Sequence, residues 1–194
     1  MEALLRHLPE IALASALAWG SGLRLYATLF ALGLAGWFGW IELPQHLGLL
    51  AHPLVMSVSG FMALVEFGTD KLPWLDSVWD AVHTFIRIPA GAALAAAVFG
   101  DGAAALAAAI LGGTLAAGTH FAKAGTRALI NTSPEPFSNW TASFTEDSAV
   151  LGGLWLAIAW PAAFLIVLLL LLGFALMLFL YLKKKFRSSP GGSP

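Results

Sequence analysis

The chain has 194 residues, of which 59% are hydrophobic and 11% charged, with a formal net charge of −1 and no cysteine. Soluble domains average roughly 45–50% apolar and ~25% charged residues. This composition, with a mean hydropathy of +0.81, therefore predicts an integral membrane protein. The lack of cysteine excludes disulfides and thiolate metal sites, and the near-neutral charge argues against nucleic acid as a partner.

Six apolar segments predict an all-α, polytopic bundle of membrane helices, some of them broken or re-entrant. They cover residues 9–38, 47–68, 73–99, 103–131, 148–160 and 161–182, here called segments A to F. Segment A exceeds the ~20 residues that cross a bilayer, so we expect it to tilt or to break near Gly20-Ser21-Gly22, just before Arg24. Segment E is expected to be a re-entrant piece or half of a kinked helix that continues into F through Pro161.

The domain organisation is expected to be one transmembrane domain, residues 1–182, followed by a basic, flexible cytoplasmic tail, residues 183–194. A faint similarity between the stretches around Arg24 and His120 suggests two repeats, 9–99 and 103–182. Two repeats of three segments are inverted relative to each other, as in many secondary transporters. The positive-inside rule places the C-terminus in the cytoplasm. We therefore expect a multi-pass protein of the inner (cytoplasmic) membrane.

The stretch from Glu66 to Arg87 holds six charged residues and is flanked by apolar segments. Within segment C, polar residues recur at i, i+4, i+7 and i+11; they are Asp76, Asp80, His83 and Arg87. On an α-helix these four fall within a sector of ~60°. A charge that faces lipid costs ~3 kcal/mol or more, so this stripe is expected to face protein or water inside the bundle.

Segment D carries a second polar stripe, formed by His120, Lys123, Arg127 and Asn131. If C and D form a hairpin that turns at Asp101, the rise per residue places the two stripes at matching depths. The predicted neighbours are Asp76 with Arg127, Asp80 with Lys123, and His83 with His120. These groups are either structural ion pairs that lock the hairpin or functional groups, as intramembrane ionisable residues often are.

Three further charges are expected at a common depth, ~21 Å from the outer turn. They are Arg24 on segment A, Glu66 on B and Arg87 on C. They are interpreted either as a buried structural cluster or as a binding site for a substrate or coupling ion.

Carboxylates could also bind a cation. Glu66 and Asp70 share a helix face at i and i+4, and oxygen ligands suit hard cations such as a divalent metal. The metal-ligand candidates are Glu66, Asp70, Asp80 and His83. No HExxH spacing supports a zinc hydrolase, and no cofactor is predicted. Glu146 and Asp147 open segment E, where acids serve as helix caps or as counter-charges.

Several sequence runs resemble a family of small bacterial membrane proteins catalogued as domain of unknown function 4126, over about residues 10–175. The runs are EFGTDKLPWLD (66–76), WD (79–80), HT (83–84), RIPAG (87–91), KAGTR (123–127) and NTSPEP (131–136). This resemblance implies a membrane location, but it implies no particular activity.

A looser similarity is to cation/proton exchangers built from two inverted three-helix repeats, each with a Glu-x-Gly-Asp-(Lys/Arg)-(Ser/Thr) motif. Here Thr69 is inserted between Gly68 and Asp70, and Leu72 replaces the hydroxyl residue. The second half offers only the stretch from Glu146 to Ser148.

The leading hypothesis is a small transporter or channel, rather than an enzyme, that moves an ion or small polar solute, with a proton-coupled cation favoured. The expected ion-binding residues are Arg24, Glu66, Asp70, Asp80, His83 and Arg87. The expected counter-charges or gating groups are Lys71, Asp76, His120, Lys123, Arg127, Glu146 and Asp147. The alternatives are an intramembrane lipid-modifying enzyme or lipid translocase, and a non-catalytic assembly factor. The expected partners are the lipid bilayer, the solute and, as a homo-oligomer, further copies of the chain.

Overall fold

The first helix lies at the centre of the bundle. The computed structural model describes residues 2–132 and 137–187, and helix α1 (Glu2–Trp37) contacts every other helix in that part of the chain. Small residues such as Ala12, Ala16 and Ala18 are fully or almost fully buried on α1. Small side chains allow neighbouring helix backbones to approach closely, which is how membrane helices pack.

The remaining elements form a simple succession of helices. They are a 3₁₀ helix (Gln45–Ala51), α2 (Pro53–Thr69), α3 (Pro73–Phe99), α4 (Ala103–Ile130), α5 (Phe137–Ala159) and α6 (Pro161–Arg187). Helices α2, α3 and α6 each begin at a proline. Proline is well tolerated there, because N–H groups in the first turn of a helix have no hydrogen-bond partner within the helix.

Helices α3 and α4 form the predicted hairpin around Asp101. Gly100 ends α3 with φ 76° and Gly102 precedes α4 with φ 86°, a backbone region that favours glycine. Along the hairpin, a Cβ on Gly112 would lie 3.0 Å from the carbonyl oxygen of Gly91. The two helices therefore approach almost backbone to backbone.

The membrane-bundle prediction is confirmed, and the structure refines the number of spans. Among the described residues, four helices (α1, α3, α4 and α6) are long and apolar enough to cross a membrane, and the 3₁₀ helix with α2, bent by 68°, is a fifth candidate. Helix α5 is not among the candidates. Its first half carries polar side chains, including Ser143, Glu146 and Asp147.

Three helix boundaries or breaks bear on the site. The backbone of α1 leaves helical geometry at Arg24 (φ −145°, ψ 75°), close to the break expected at residues 20–22. Segment E was expected to begin at residue 148 after a polar loop, but α5 already begins at Phe137. Helices α5 and α6 are separate and meet at Trp160, as the Pro161 break predicts.

Helix α6 continues to Arg187, so the tail predicted from residue 183 begins as helix, and residues 188–194 lie outside the described part of the chain. The inverted repeat stays a prediction.

Candidate functional site

Charged side chains from five regions of the chain meet in one buried network. Its cations are Arg24, Arg87, Lys123 and Arg127, and its carboxylates are Glu66, Asp70, Asp80, Glu146 and Asp147. They come from α1, α3, α4, α5 and the end of α2 with the turn that follows it. None of the four cations is more than 3% exposed. The network is therefore part of the bundle interior.

Asp70 is the centre of one half of this network. It is fully buried and forms ion pairs with Arg24, with Arg127 (Nη2 to Oδ2, 3.0 Å) and with Lys123 (Nζ to Oδ1, 3.9 Å). Burial by itself would raise the pKa of Asp70, but Lys123, Arg24 and Arg127 together lower that pKa below its ordinary value. Asp70 is therefore held as a carboxylate.

Arg24 connects the break in α1 to α5. Its Nε lies 3.0 Å from Asp147 Oδ1, and its Nη2 donates to the carbonyl (3.1 Å) and the hydroxyl (2.8 Å) of Ser143. Thr28 donates its hydroxyl to the carbonyl of Arg24 at 2.8 Å. Side chains thus provide partners where the helix backbone is interrupted, as buried polar groups require.

Arg87 is the centre of the other half. It lies between Glu66 and Asp80 (Nη1 to Oδ1, 2.7 Å), and the same Nη1 lies 3.3 Å from His120 Nδ1. His120 Nε2 lies 2.7 Å from the hydroxyl of Thr84. Its ring also forms a hydrogen bond with the backbone of Gly22 on α1. His120 therefore connects α4 to both α1 and α3.

Lys123 joins the two halves, because it pairs with both Asp70 and Asp80, whereas Arg127 belongs to the Asp70 half. Lys123 Nζ lies 3.5 Å from Asp80 and 3.6 Å from Glu146, and the predicted Asp80–Lys123 neighbours are therefore confirmed. Arg127 binds both oxygens of Glu146, at 2.9 and 3.1 Å.

The predicted pairing of Asp76 with Arg127 is wrong. Asp76 accepts a hydrogen bond from Asn131 at 2.9 Å instead. The reason is that α5 begins earlier than expected and presents Glu146 to Arg127.

The predicted convergence of Arg24, Glu66 and Arg87 holds only in part. Arg87 pairs with Glu66, but Arg24 pairs with Asp70, Glu146 and Asp147. At the break in α1, the Arg24 side chain points toward α5. Counting residues along a helix gives the depth of a side chain in the membrane but not the neighbouring helix toward which it points.

His83 lies apart from His120, beside two aromatic residues. Its Nδ1 is 2.8 Å from the carbonyl of Trp79, and its Nε2 is 3.1 Å from the hydroxyl of Tyr26. Since a carbonyl only accepts, Nδ1 carries the proton and Tyr26 donates to Nε2. The His83 ring stacks on Trp79 and turns toward α1, so the two histidines expected at a matching depth bind different partners.

Lys71 lies in the turn after α2. Its Nζ donates to the carbonyl of Phe67 at 2.7 Å and sits 2.9 Å from the centre of the Phe67 ring. Burial lowers the pKa of Lys71, and Asp70 opposes that shift only partly. The same Nζ lies 4.9 Å from the centre of the Trp140 ring on α5, so Lys71 contacts both the end of α2 and α5 at the edge of the network.

Several uncharged members of the site were missed by the sequence interpretation. They are Tyr26, Thr84, Asn139 and Ser143. Single hydroxyl and amide side chains occur throughout the chain. Helical i, i+4 spacing could have connected two of these four to charged residues: Thr84 to Asp80 on α3, and Ser143 to Asp147 on α5.

The metal-ligand candidates are not assembled as a metal site. Among residues 2–132 and 137–187, no three His, Asp or Glu side chains are grouped as metal ligands. Glu66, Asp70 and Asp80 bind cationic side chains, and His83 binds Tyr26 and Trp79.

The network has more carboxylates than cations. With Lys71 and Asp76, which both act electrostatically on Asp70, the network has six carboxylates and five cations, one negative charge in excess when all eleven are ionised. Uncompensated charge is expensive in a buried site. Glu66 Oε2 and Asp80 Oδ2 are buried and accept no hydrogen bond. The arrangement can therefore take up one more positive charge.

A family model described as domain of unknown function (DUF4126) matches residues 11–180. No curated protein matches the chain, and no solved structure does. The looser similarity to cation/proton exchangers consequently stays a prediction.

Proposed function

The chain belongs to the family described as domain of unknown function (DUF4126), whose name assigns no activity, and we propose that it is a small membrane transporter or channel for an ion or small polar solute. The favoured solute is a cation whose movement is coupled to protons. The basic residues 183–185 after the apolar part of α6 favour a cytoplasmic C-terminus in a bacterial inner membrane.

The observation that carries this proposal is the interruption of α1 at Arg24, inside the buried network. Many transporters bind their substrates where a membrane helix is broken, because the break exposes polar groups in the interior of the bundle. Here the break lies on the helix that contacts all the others in the described part of the chain. A change in the backbone conformation of α1 at Arg24 would thus affect the packing of α2, α4 and α5 together.

The sign of the charge imbalance favours a cation over an anion. The surplus of one carboxylate, and the free oxygens of Glu66 and Asp80, attract positive charge. An anion would have to displace a carboxylate from any cation that it binds, because all four cations already have carboxylate partners.

A non-catalytic assembly factor is the competing candidate, since every cation of the network has a carboxylate partner. A lipid-modifying enzyme has less support. Such an enzyme would need acid–base groups such as His83 and Asp80 side by side, but these bind different partners, Tyr26 and Arg87 respectively.

The test is flux through purified protein in liposomes that contain dyes for H⁺, Na⁺, K⁺ and Ca²⁺, together with uptake of labelled small solutes. We expect protein-dependent flux of at least one cation. Glu66→Gln should lower it about tenfold or more, because Gln keeps the shape but removes the charge. Glu42→Gln, at an exposed position outside the network, is the matched control.

Absence of flux for the whole panel would overturn transport and favour the assembly factor. Unchanged flux in a folded Glu66→Gln variant would remove Glu66 from the site.

A further inference from the structure

A cleft opens between helices α3 and α4. Its volume is about 210 Å³. Its rim includes the exposed residues Ser77, Ala81, Phe121 and Ala128, and its buried lining residues are Asp80, His120 and Arg127. The cleft therefore leads from the surface of the bundle to the ion network. Asp80 lies seven residues into α3, ~10 Å along the helix from its start.

Asp80 is the network carboxylate that this cleft reaches. The residue is only 3% exposed. Its Oδ1 holds Arg87 at 2.7 Å and Lys123 at 3.5 Å, whereas its buried Oδ2 accepts no hydrogen bond. A buried carboxylate with one unpartnered oxygen, lining an open cleft, can receive a positive charge.

The surroundings of Asp80 favour a proton over a metal cation. A hard metal ion takes about six or more oxygen ligands, and no three acids or histidines of the described residues are grouped to supply them. Arg127 lines the same cleft, and Arg87 and Lys123 lie within ion-pair distance of Asp80. A metal ion would therefore meet three positive charges. A proton needs one oxygen atom and removes the negative charge by forming an O–H bond.

We propose that protons enter the network through the α3–α4 cleft and that Asp80 is the carboxylate that accepts and releases the coupling proton. This inference rests on the proposed transport function.

The step is charge-balanced within the network. A proton from water adds to Asp80 Oδ2, forms an O–H bond and neutralises the one surplus negative charge. Arg87 then retains Glu66, and Lys123 retains Asp70 and Glu146. Release of the proton to water reverses the step, so the cations keep partners in both states.

Other ionisable groups surround Asp80 and will influence this protonation. On α3 they are Asp76, His83 and Arg87; on α4 they are His120, Lys123 and Arg127. Glu66 of α2 lies across Arg87, Glu146 of α5 lies across Lys123, and Tyr26 of α1 lies behind His83. The positive groups oppose proton binding and the acids favour it.

Glu66 provides an internal comparison. It binds the same guanidinium, is 1% exposed and also has a buried oxygen without a hydrogen bond, but it does not line the cleft. A reagent that enters through the cleft should therefore reach Asp80 and not Glu66.

Dicyclohexylcarbodiimide tests this point, because this apolar reagent modifies protonated carboxyl groups. The full-length protein in liposomes is treated over a pH series and the modified residues are located by mass spectrometry. We expect modification at Asp80, faster as the pH falls, and loss of that product in Asp80→Asn. Ala124→Leu, which fills the cleft, should slow the reaction, whereas Ala122→Leu, exposed on the same helix and outside the cleft, should not.

Equal modification of Glu66 and Asp80, or none at Asp80 at any pH where the protein stays folded, would overturn the inference.

Proton flux in the same liposomes, driven by a potassium diffusion potential and read with an internal pH dye, separates this inference from the proposed function. Loss of proton flux in Asp80→Asn, with normal flux in Ala122→Leu, supports both. Cation flux that is independent of pH, together with an unmodified Asp80, overturns the proton site and leaves transport standing. Modification of Asp80 without flux of any ion overturns transport and the coupling role.

Discussion

Arg24 and Asp70 form a buried ion pair that joins the break in α1 to the turn between α2 and α3. Arg24 is 1% exposed and Asp70 is completely buried. Neither group can regain water if its partner is removed. The pair therefore links the central helix of the bundle to the charged stretch from Glu66 to Arg87.

Removing Arg24 should destabilise the protein strongly. Arg24→Leu leaves Asp70, Glu146 and Asp147 with less compensating charge, and breaking a buried pair from one side costs about 3–5 kcal/mol. The measurement is unfolding by denaturant in detergent. Arg6→Leu, at an exposed position on the same helix, is the control and should stay close to wild type. Equal stability of the two variants would contradict the central role of the pair.

Exchanging Asp80 and Lys123 should not restore stability. In the double variant Asp80→Lys with Lys123→Asp, position 80 would bring a second cation against Arg87, and position 123 would bring an acid against Asp70 and Glu146. We expect thermal unfolding of the double variant at or below the temperature of the weaker single variant. Recovery to the wild-type value would mean that the two residues act as an isolated pair.

The close approach of α1 and α4 at Gly22 should be sensitive to one methyl group. A Cβ at Gly22 would overlap Thr119 Oγ1 and lie 2.5 Å from the carbonyl oxygen of Ala116. Overpacking costs roughly 1–3 kcal/mol, so Gly22→Ala should lower stability by this amount. Gly118→Ala is the control, because nothing lies within 4 Å of a Cβ at that position. A stable Gly22→Ala protein would show that the two helices can separate locally at little cost.

Loss of the Tyr26 hydroxyl should leave His83 Nε2 without its donor. A typical hydrogen bond contributes about 0.5–1.5 kcal/mol, and an unsatisfied buried partner costs somewhat more. Tyr26→Phe should therefore reduce the free energy of unfolding by about 1–2 kcal/mol. Tyr181→Phe, at an exposed site on α6, controls for the substitution itself. No difference between the two would indicate that His83 does not depend on Tyr26.

The sequence alone could predict contacts between neighbouring helices joined by a short turn. Asp80 and Lys123 meet because they lie at nearly equal distances from the turn at Asp101 along two antiparallel helices, and the helical rise per residue is constant. The same counting failed for Asp76 and Arg127, because it ignores a third helix. Glu146 of α5 binds Arg127. The first turns of α5 are polar, so the sequence pattern did not predict that this helix begins at Phe137.

Composition and periodicity by themselves determined the class of the protein: apolar runs long enough to cross a bilayer must be helical, and a charged stripe on such a run must turn inward. Only the tertiary structure decided which charges meet, that α1 lies at the centre, and that Arg24 turns toward Asp70 and α5. The physical reason is that periodicity specifies the face of a side chain on its own helix. Which helix lies against that face depends on how closely the helix backbones approach. That distance is set by small residues from helices that are far apart in the chain.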